Sequence, residues 1–212
     1  MSETPEPQVL GVMLAGGENR RYDGVPKALE SVGGERIADR AIRAMREVFE
    51  RVVLVANDIP TFQPLGLETR ADLTPGLGAL GGIQTAVAWA EEEGRPGAVV
   101  VACDMPFLSP DLLRSLTQGA VSEDVVAPES ESRRGLEPLC AFYGTGCRKA
   151  IDAALARGDR HIISFFPDVR VRKIPLDQVA TFGDPKLFFL NVNTPDDRER
   201  AEAALRRSEH TP

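Results

Sequence analysis

Residues 9–21 read VLGVMLAGGENRR: an apolar run ends in two adjacent glycines, and two arginines follow. A run without polar alternation suits a strand buried on both faces of a parallel sheet, and the glycines mark the turn that leaves it. Two more runs of this kind occupy 51–57 and 97–103, with helical patterns at about 36–49 and 82–93 between them. This β-α-β-α-β alternation predicts an α/β fold, three-layered and Rossmann-like, around a doubly wound sheet with right-handed crossovers.

The second half of the chain is less regular. Strands are expected at 124–128, 138–143, 169–175 and 187–192, and helices at 109–118, 145–157 and 195–207. Ser109 followed by Pro110 is the N-cap and first-turn pair of the first of these helices. The stretch DVRVRKIPL alternates polar and apolar residues as a half-exposed edge strand does, so the sheet is expected to be mixed and mostly parallel. Residues 129–137, ESESRRGLE, are too polar and charged to pack and are expected to form a mobile loop. No repeat or linker divides the chain, which reads as one domain over 1–212 with an ordered core at 8–206 and flexible ends at 1–7 and 208–212.

Several function classes are disfavoured by composition. The 212 residues carry a formal net charge of −7, which argues against general affinity for nucleic acid or anionic membranes, so any phosphate binding must be local. The longest apolar runs are strand-sized, and MSETPEPQ lacks the basic and apolar segments of a secretory signal, so a cytoplasmic location is expected. Cys103, Cys140 and Cys147 have no metal-site spacing and read as buried, reduced thiols. The two histidines, His161 and His210, offer neither a metal cluster nor an obvious partner for a nucleophile.

In open α/β sheets ligands gather beyond the C-terminal ends of the strands. Four stretches belong there: LAGGENRR after the first strand, VAND after the second, ACDMPF after the strand at 97–103, and NVNTPDD near the end of the chain. In the first loop Gly16 and Gly17 bring backbone N–H groups close to a ligand, while Arg20, Arg21 and Lys27 add charge-assisted donors for phosphate oxygens. It is not a P-loop, because Val25-Pro26-Lys27 stands where Gly-Lys-Ser/Thr is needed. A GxGxxG pattern does occur at Gly76–Gly81, but the preceding LETRADLTP is not the apolar strand of a dinucleotide fold, so we read a glycine-rich turn into a helix.

Asp104, at the end of a buried strand, suits Mg²⁺ beside a polyphosphate, where one carboxylate suffices if phosphate oxygens and water complete the shell. Near the C-terminus, Thr194 and Pro195 start a helix, with Asp196 and Asp197 at its positive end. That leaves Asn191 and Asn193, whose alternation on the expected strand places an amide in the cleft, and Asn57, which is either a ligand or a turn residue.

Taken in order, these stretches resemble the nucleotidyltransferase family that includes molybdenum cofactor guanylyltransferase (MobA-type). LAGGENRRYDGVPK is similar to the family's LAGGxxxRMGxxxK, and RADLTPGLGALGGI to its Asp followed by GPLAGI. ACDMPFL, EPLCAFY and NVNTPDD are similar to CDMPFL, PLxALY and NxNTPxD, so the resemblance covers about residues 8–206. The chain departs from the pattern at Tyr22-Asp23, for Met-Gly, and at Gly78-Ala79-Leu80-Gly81-Gly82, for GPLAG.

The resemblance implies a nucleotidyltransferase fold with Leu14, Ala15 and Gly16 lining the nucleotide site and Lys27 on its phosphates, to which the loop's own chemistry adds Gly17 and Arg20. It also implies Asn57 and Asp72 on the nucleoside, Asp104 on nucleotide-bound Mg²⁺, and Asn191 and Asn193 facing the second substrate or assisting the metal. Lys27, Asp104 and Arg21 would carry the transfer. The implied reaction moves GMP from GTP to the phosphate of molybdopterin or the molybdenum cofactor and releases pyrophosphate, with transient contacts to cofactor-biosynthesis or acceptor proteins. LAGG rather than LAAG favours GTP over CTP. Cobinamide-phosphate and sugar-phosphate transferases share the scaffold, and a non-catalytic nucleotide-binding regulator is the alternative from another class.

Overall fold

The computed structural model describes residues 8–15, 26–118, 120 and 122–208. The expectations for Gly16, Gly17, Arg20, Arg21, Tyr22, Asp23 and the two ends of the chain fall outside them.

Strands β1 (Leu10–Leu14), β4 (Val52–Val55) and β6 (Gly97–Ala102) realise the three apolar runs. A small hairpin, β2 (Ser31–Val32) and β3 (Glu35–Arg36), precedes helix α1 (Ile37–Arg46). After β4 come the single-turn helix α2 (Ile59–Phe62), the two-residue strand β5 (Thr69–Arg70) and helix α3 (Gly78–Glu92). β6 leads into α4 (Pro110–Thr117), followed by β7 (Val125–Pro128), β8 (Cys140–Gly144), α5 (Arg148–Ala156) and β9 (Val171–Ile174). The chain then runs through α6 (Leu176–Ala180) and α7 (Pro185–Phe188) to α8 (Pro195–Ser208).

Seven of these strands share a sheet in the order β5-β4-β1-β6-β8-β7-β9. β8 pairs antiparallel with both β6 and β7, whereas the pairings of β1 with β4 and β6, of β4 with β5 and of β7 with β9 are parallel. The sheet is therefore mixed and mostly parallel, and β9, from DVRVRKIPL, lies at its edge as the alternation predicts.

Burial on both faces explains the unbroken apolar runs. Met13, Val99 and Val101 pack with Met45 of α1 and Leu112 and Leu116 of α4. Leu10, Val12, Ala98 and Val100 face the other way, onto Ile83 and Trp89 of α3 and Ile151 of α5. Alternate residues of one strand thus serve two cores, and helices cover both sides of the sheet.

Local signals set the helix starts. Ser109 accepts a hydrogen bond from the Leu112 N–H at 3.4 Å, with Pro110 in the first turn of α4. At α8 Thr194 and Asp197 form a reciprocal box: the Asp197 N–H donates to Thr194 Oγ1 at 3.2 Å, and the Thr194 N–H donates to Asp197 Oδ2 at 2.9 Å.

Two expectations are corrected. The stretch 187–192 is not a strand: α7 ends at Phe188, and Val192 then makes one backbone hydrogen bond, from its N–H to the Asp104 carbonyl at 3.0 Å. Asp184-Pro185 is a helix start, with Asp184 Oδ1 accepting from the Lys186 N–H, and a short apolar run such as LFFL has no periodicity to distinguish strand from buried helix. Residues 129–137 are not a free loop. Glu129 bridges Leu136 antiparallel, the Ser130 N–H donates to the Gly135 carbonyl at 3.2 Å, and the Glu137 N–H donates to the Pro128 carbonyl at 3.0 Å. Gly135, at φ 68°, supplies the left-handed turn, and Leu136 is buried.

The cysteines are free and buried. Burial, the largest influence on each, pushes the Cys103 and Cys147 thiols up to about 12 and the Cys140 thiol higher still. At pH 8 the native protein should therefore leave Ellman's reagent unreacted and release three equivalents of thiolate on denaturation. Rapid labelling of any one thiol in the native state would contradict that placement.

Candidate active site

The parallel strands β5, β4, β1 and β6 end at one edge of the sheet, and β8, running the other way, begins there. A cleft of about 1230 Å³ opens along this edge, more than one drug-sized ligand needs. It is lined from the β4 and β5 side by Asn57 and Asp72, at its centre by Leu14 and Asp104, and from the β8 side by Glu137, Pro138 and Leu139.

The Asn57–Asp72 end is built from reciprocal hydrogen bonds. Asn57 Nδ2 donates to Asp72 Oδ2 at 2.8 Å, and the Asp72 N–H donates back to Asn57 Oδ1 at 3.0 Å. The next amide, Leu73 N–H, donates to Thr85 Oγ1 at 2.9 Å, which ties this loop to α3. Asn57 is thus a turn-fixing residue and a cleft residue at once. α3 comes close to β1 here: a Cβ on Gly82 would lie 3.2 Å from a Leu14 methyl, so glycine lets the helix start sit against the strand end. Gly76 and Gly78 have φ of 83° and 65°, which makes the Gly76–Gly81 pattern a turn into a helix, as its sequence context predicts.

At the centre, Asp104 lies two residues beyond the end of β6, whose last residue, Ala102, pairs with Leu14 at the end of β1. Asn193 Nδ2 donates to Asp104 Oδ2 at 3.1 Å, and Lys27 Nζ donates to Asn193 Oδ1 at 3.4 Å. Asn193 is itself held in place, because its backbone N–H donates to Asp197 Oδ2 at 3.1 Å at the start of α8. Asp197 therefore has a positioning role that reading it only as a helix-end charge misses. Residues 166 positions apart are joined in one polar chain: Lys27, Asn193, Asp104. Asn191 also lines the cleft, but its Nδ2 turns back to the Phe189 carbonyl at 3.3 Å.

Asp104 Oδ1 is buried and has no hydrogen-bond partner among the described residues. Burial pushes the Asp104 carboxyl above the usual range; the Asn193 hydrogen bond and the Lys27 charge oppose the rise, and Asp197 adds to it. A buried carboxylate oxygen without a described donor, on a residue that lines the cleft, fits a hard divalent cation. Among the described residues no cluster of three His, Cys, Asp or Glu side chains supports an all-protein metal cage, so a cation at Asp104 needs ligands from a substrate and from water.

The structure thus brings Leu14, Asn57, Asp72, Asp104, Asn191 and Asn193 to one cleft, with Lys27 hydrogen-bonded at its centre. Ala15 follows β1 directly and is buried in the core. Glu137, the last residue of the charged stretch 129–137, also lines the cleft, which the composition of that stretch does not indicate. Its signal was available: a carboxylate just before a strand whose residue Cys140 pairs with Val101, next to the site strand's end. No helix among the described residues is long and apolar enough to cross a membrane.

A family model described as a MobA-like NTP transferase domain matches residues 11–172. The chain is 36% identical over 201 residues to a probable molybdenum cofactor guanylyltransferase of Pelotomaculum thermopropionicum, covering 95% of each. It is 33% identical to the molybdenum cofactor guanylyltransferase of Desulfosudis oleivorans, covering 93% of this chain and 96% of that one. Among solved structures, molybdopterin-guanine dinucleotide biosynthesis protein A from Archaeoglobus fulgidus superposes with a TM-score of 0.78 at 26% identity, over 94% of this chain and 100% of that one. With a family match over most of its length and relatives that align nearly end to end, the chain belongs to the MobA-like NTP transferase family.

Proposed function

We propose that this protein transfers GMP from GTP to the phosphate of molybdopterin or the molybdenum cofactor, in the cytoplasm, with release of pyrophosphate. The observation that carries the reading is the polar chain Lys27–Asn193–Asp104 at the middle of a cleft with room on both sides, in a chain whose relatives bear the guanylyltransferase name. The nucleoside lies towards Asn57 and Asp72, and the acceptor lies towards β8.

An oxygen of the acceptor's phosphate monoester forms the new bond to the α-phosphorus of GTP, and the bond from that phosphorus to the bridging oxygen of pyrophosphate breaks. A phosphate monoester is already anionic near neutral pH, so the residues of the site need not remove a proton. Their task is to position two anions and stabilise the charge that leaves, the terms that dominate phosphoryl transfer. Lys27 offers its ammonium group to the phosphates, Asn193 holds Lys27 and Asp104 in register, and Asp104 is the residue that would hold Mg²⁺. The cation, when bound, supplies charge neutralisation of the triphosphate oxygens. Arg20 and Arg21 are assigned to the same phosphates.

The test is to incubate the purified protein with GTP, MgCl2 and molybdopterin and to follow pyrophosphate release together with the mass of the dinucleotide product. Turnover should stop on addition of EDTA and should fall at least tenfold with CTP in place of GTP. Release with cobinamide phosphate or a sugar phosphate but not molybdopterin would reassign the acceptor. GTP binding without release for any acceptor would replace the enzyme with a regulator.

A further inference from the structure

The end of the cleft nearest β8 has a distinct chemistry. Glu137 stands there half-buried, between the buried Leu136 and Pro138, with Leu139 beyond. Among the described residues its Oε1 accepts one long hydrogen bond, from the Leu139 N–H at 3.4 Å, and the carboxylate forms no ion pair. Burial holds its carboxyl above the usual range; the Leu139 N–H and then the charge of Arg134 oppose the rise, and the charge of Asp104 adds to it. Its own backbone is fixed, because its N–H donates to the Pro128 carbonyl and the following strand pairs with β6. The group is therefore a rigidly mounted acceptor with one long hydrogen bond among the described residues, on a shelf of Leu136, Pro138 and Leu139 that Arg133, Arg134 and Arg160 flank.

Such a carboxylate pairs best with two adjacent N–H groups on a flat ring, one for each oxygen. The 2-amino-4-oxopyrimidine edge offers this pair, and it occurs in both guanine and a pterin. Strand order distinguishes the two sources. β4, which carries Asn57, is separated from β8 by β1 and β6, so at about 4.8 Å per strand the two ends of the cleft lie roughly 14 Å apart. A guanine placed against Asn57 and Asp72 does not reach Glu137.

We propose that Glu137 reads the 2-amino-4-oxopyrimidine edge of a pterin-bearing acceptor, whose ring lies on Leu136, Pro138 and Leu139 while its phosphate points to Asp104. This rests on the acceptor reading given above and names the residue that would recognise the ring. No described hydrogen bond joins Glu137 to the polar chain Lys27–Asn193–Asp104, and the charge of Asp104 reaches it only through space, so GTP affinity and acceptor recognition can be read separately in Glu137 variants.

The experiment has two arms. In the first, free pterin is titrated by its fluorescence into protein saturated with GTP and Mg²⁺, beside lumazine, which has an oxygen in place of the 2-amino group. Wild type should bind pterin at least tenfold more tightly than lumazine, and Glu137→Gln should erase the difference. In the second arm, steady-state kinetics of Glu137→Gln and Glu137→Asp should show a KM for molybdopterin raised at least tenfold and at least threefold, respectively. In both variants the affinity for GTP should stay within twofold of wild type, which also reports that they fold. Pterin displaced by GTP, or a loss of GTP affinity equal to the loss for molybdopterin, would assign Glu137 to guanine and overturn the proposal. An unchanged KM and an unchanged preference for pterin would overturn it as well. Wild-type protein that binds pterin through Glu137 yet releases no pyrophosphate with molybdopterin would instead overturn the transfer reaction alone.

Discussion

Asp104→Asn should lower kcat for GMP transfer by about 10³-fold, the scale lost when one preorganised charge-stabilising group is removed from a transition state. The substitution keeps the volume of the side chain and leaves the Asp104 carbonyl free to accept from the Val192 N–H. It removes the negative charge at the buried Oδ1, the carboxylate oxygen of Asp104 that no described protein donor satisfies. Folding should not suffer. A carboxyl whose folded pKa lies above its unfolded value weakens the native state once the unfolded chain ionises, so the wild type loses stability as pH rises from the unfolded towards the folded pKa, and the loss then levels off. Without divalent cations Asp104→Asn should therefore melt no lower than wild type at neutral pH, and any advantage should vanish in acid below both values. Full turnover in the variant, or a lower melting temperature with activity lost, would remove Asp104 from its assigned role.

That trade of stability for function explains why the centre of the site was legible in the sequence. Asp104 ends an apolar run, and a charge at such a place has few structural uses, so its residue type and position pointed to chemistry. Asn193 was legible for a different reason: the cap formed by Thr194 and Asp197 accounts for its neighbours but leaves its own amide unexplained. The partner each residue would find was not legible. That Lys27 reaches Asn193, and that Asn193 reaches Asp104, depends on how the 189–194 segment leaves α7 and passes the end of β6. An apolar run as short as LFFL does not record whether it is strand or helix.

The opposite error occurred at 129–137. Composition there is dominated by charge, and charge argues for solvent exposure of side chains. Closure of the turn is made by backbone groups, Ser130 N–H to Gly135 C=O and Glu137 N–H to Pro128 C=O, with Leu136 as its buried anchor. Backbone hydrogen bonds carry no side-chain signature, so the segment read as loose and Glu137 went unnoticed as part of a wall. The main fold had no such ambiguity, because β1, β4 and β6 are long apolar runs whose alternate residues all find buried partners.

Trp89→Ala should cost about 3–5 kcal/mol of stability, the range for removing a large aromatic side chain from a core. Trp89 is 1% exposed and belongs to the core between α3 and the sheet. Its Nε1 donates to Glu93 Oε1 at 2.9 Å, and the Arg70 guanidinium lies 4.0 Å from its ring centroid. Alanine removes the packing and both contacts, although Glu93 keeps Arg51 and Arg95 and Arg70 keeps Glu92. Domains of this size lose about 2–4 °C in melting temperature per kcal/mol, so a fall of roughly 10 °C is expected, a large share of the 5–15 kcal/mol that such proteins possess. Trp89→Phe, which keeps most of the volume and gives up the Nε1 hydrogen bond, should lose less than half as much. The consequence for function follows from the helix: α3 carries Gly78 and Gly82 into the cleft at its start and Trp89 three turns further on, so Trp89 anchors the cleft wall against which we propose the nucleoside binds. If its role is that anchor and nothing closer, GTP affinity measured well below the melting point should stay within threefold of wild type in both variants. A large loss of affinity at low temperature would instead mean that the start of α3 moves when its far end is undercut, and that the nucleotide site depends on core packing beyond its own residues.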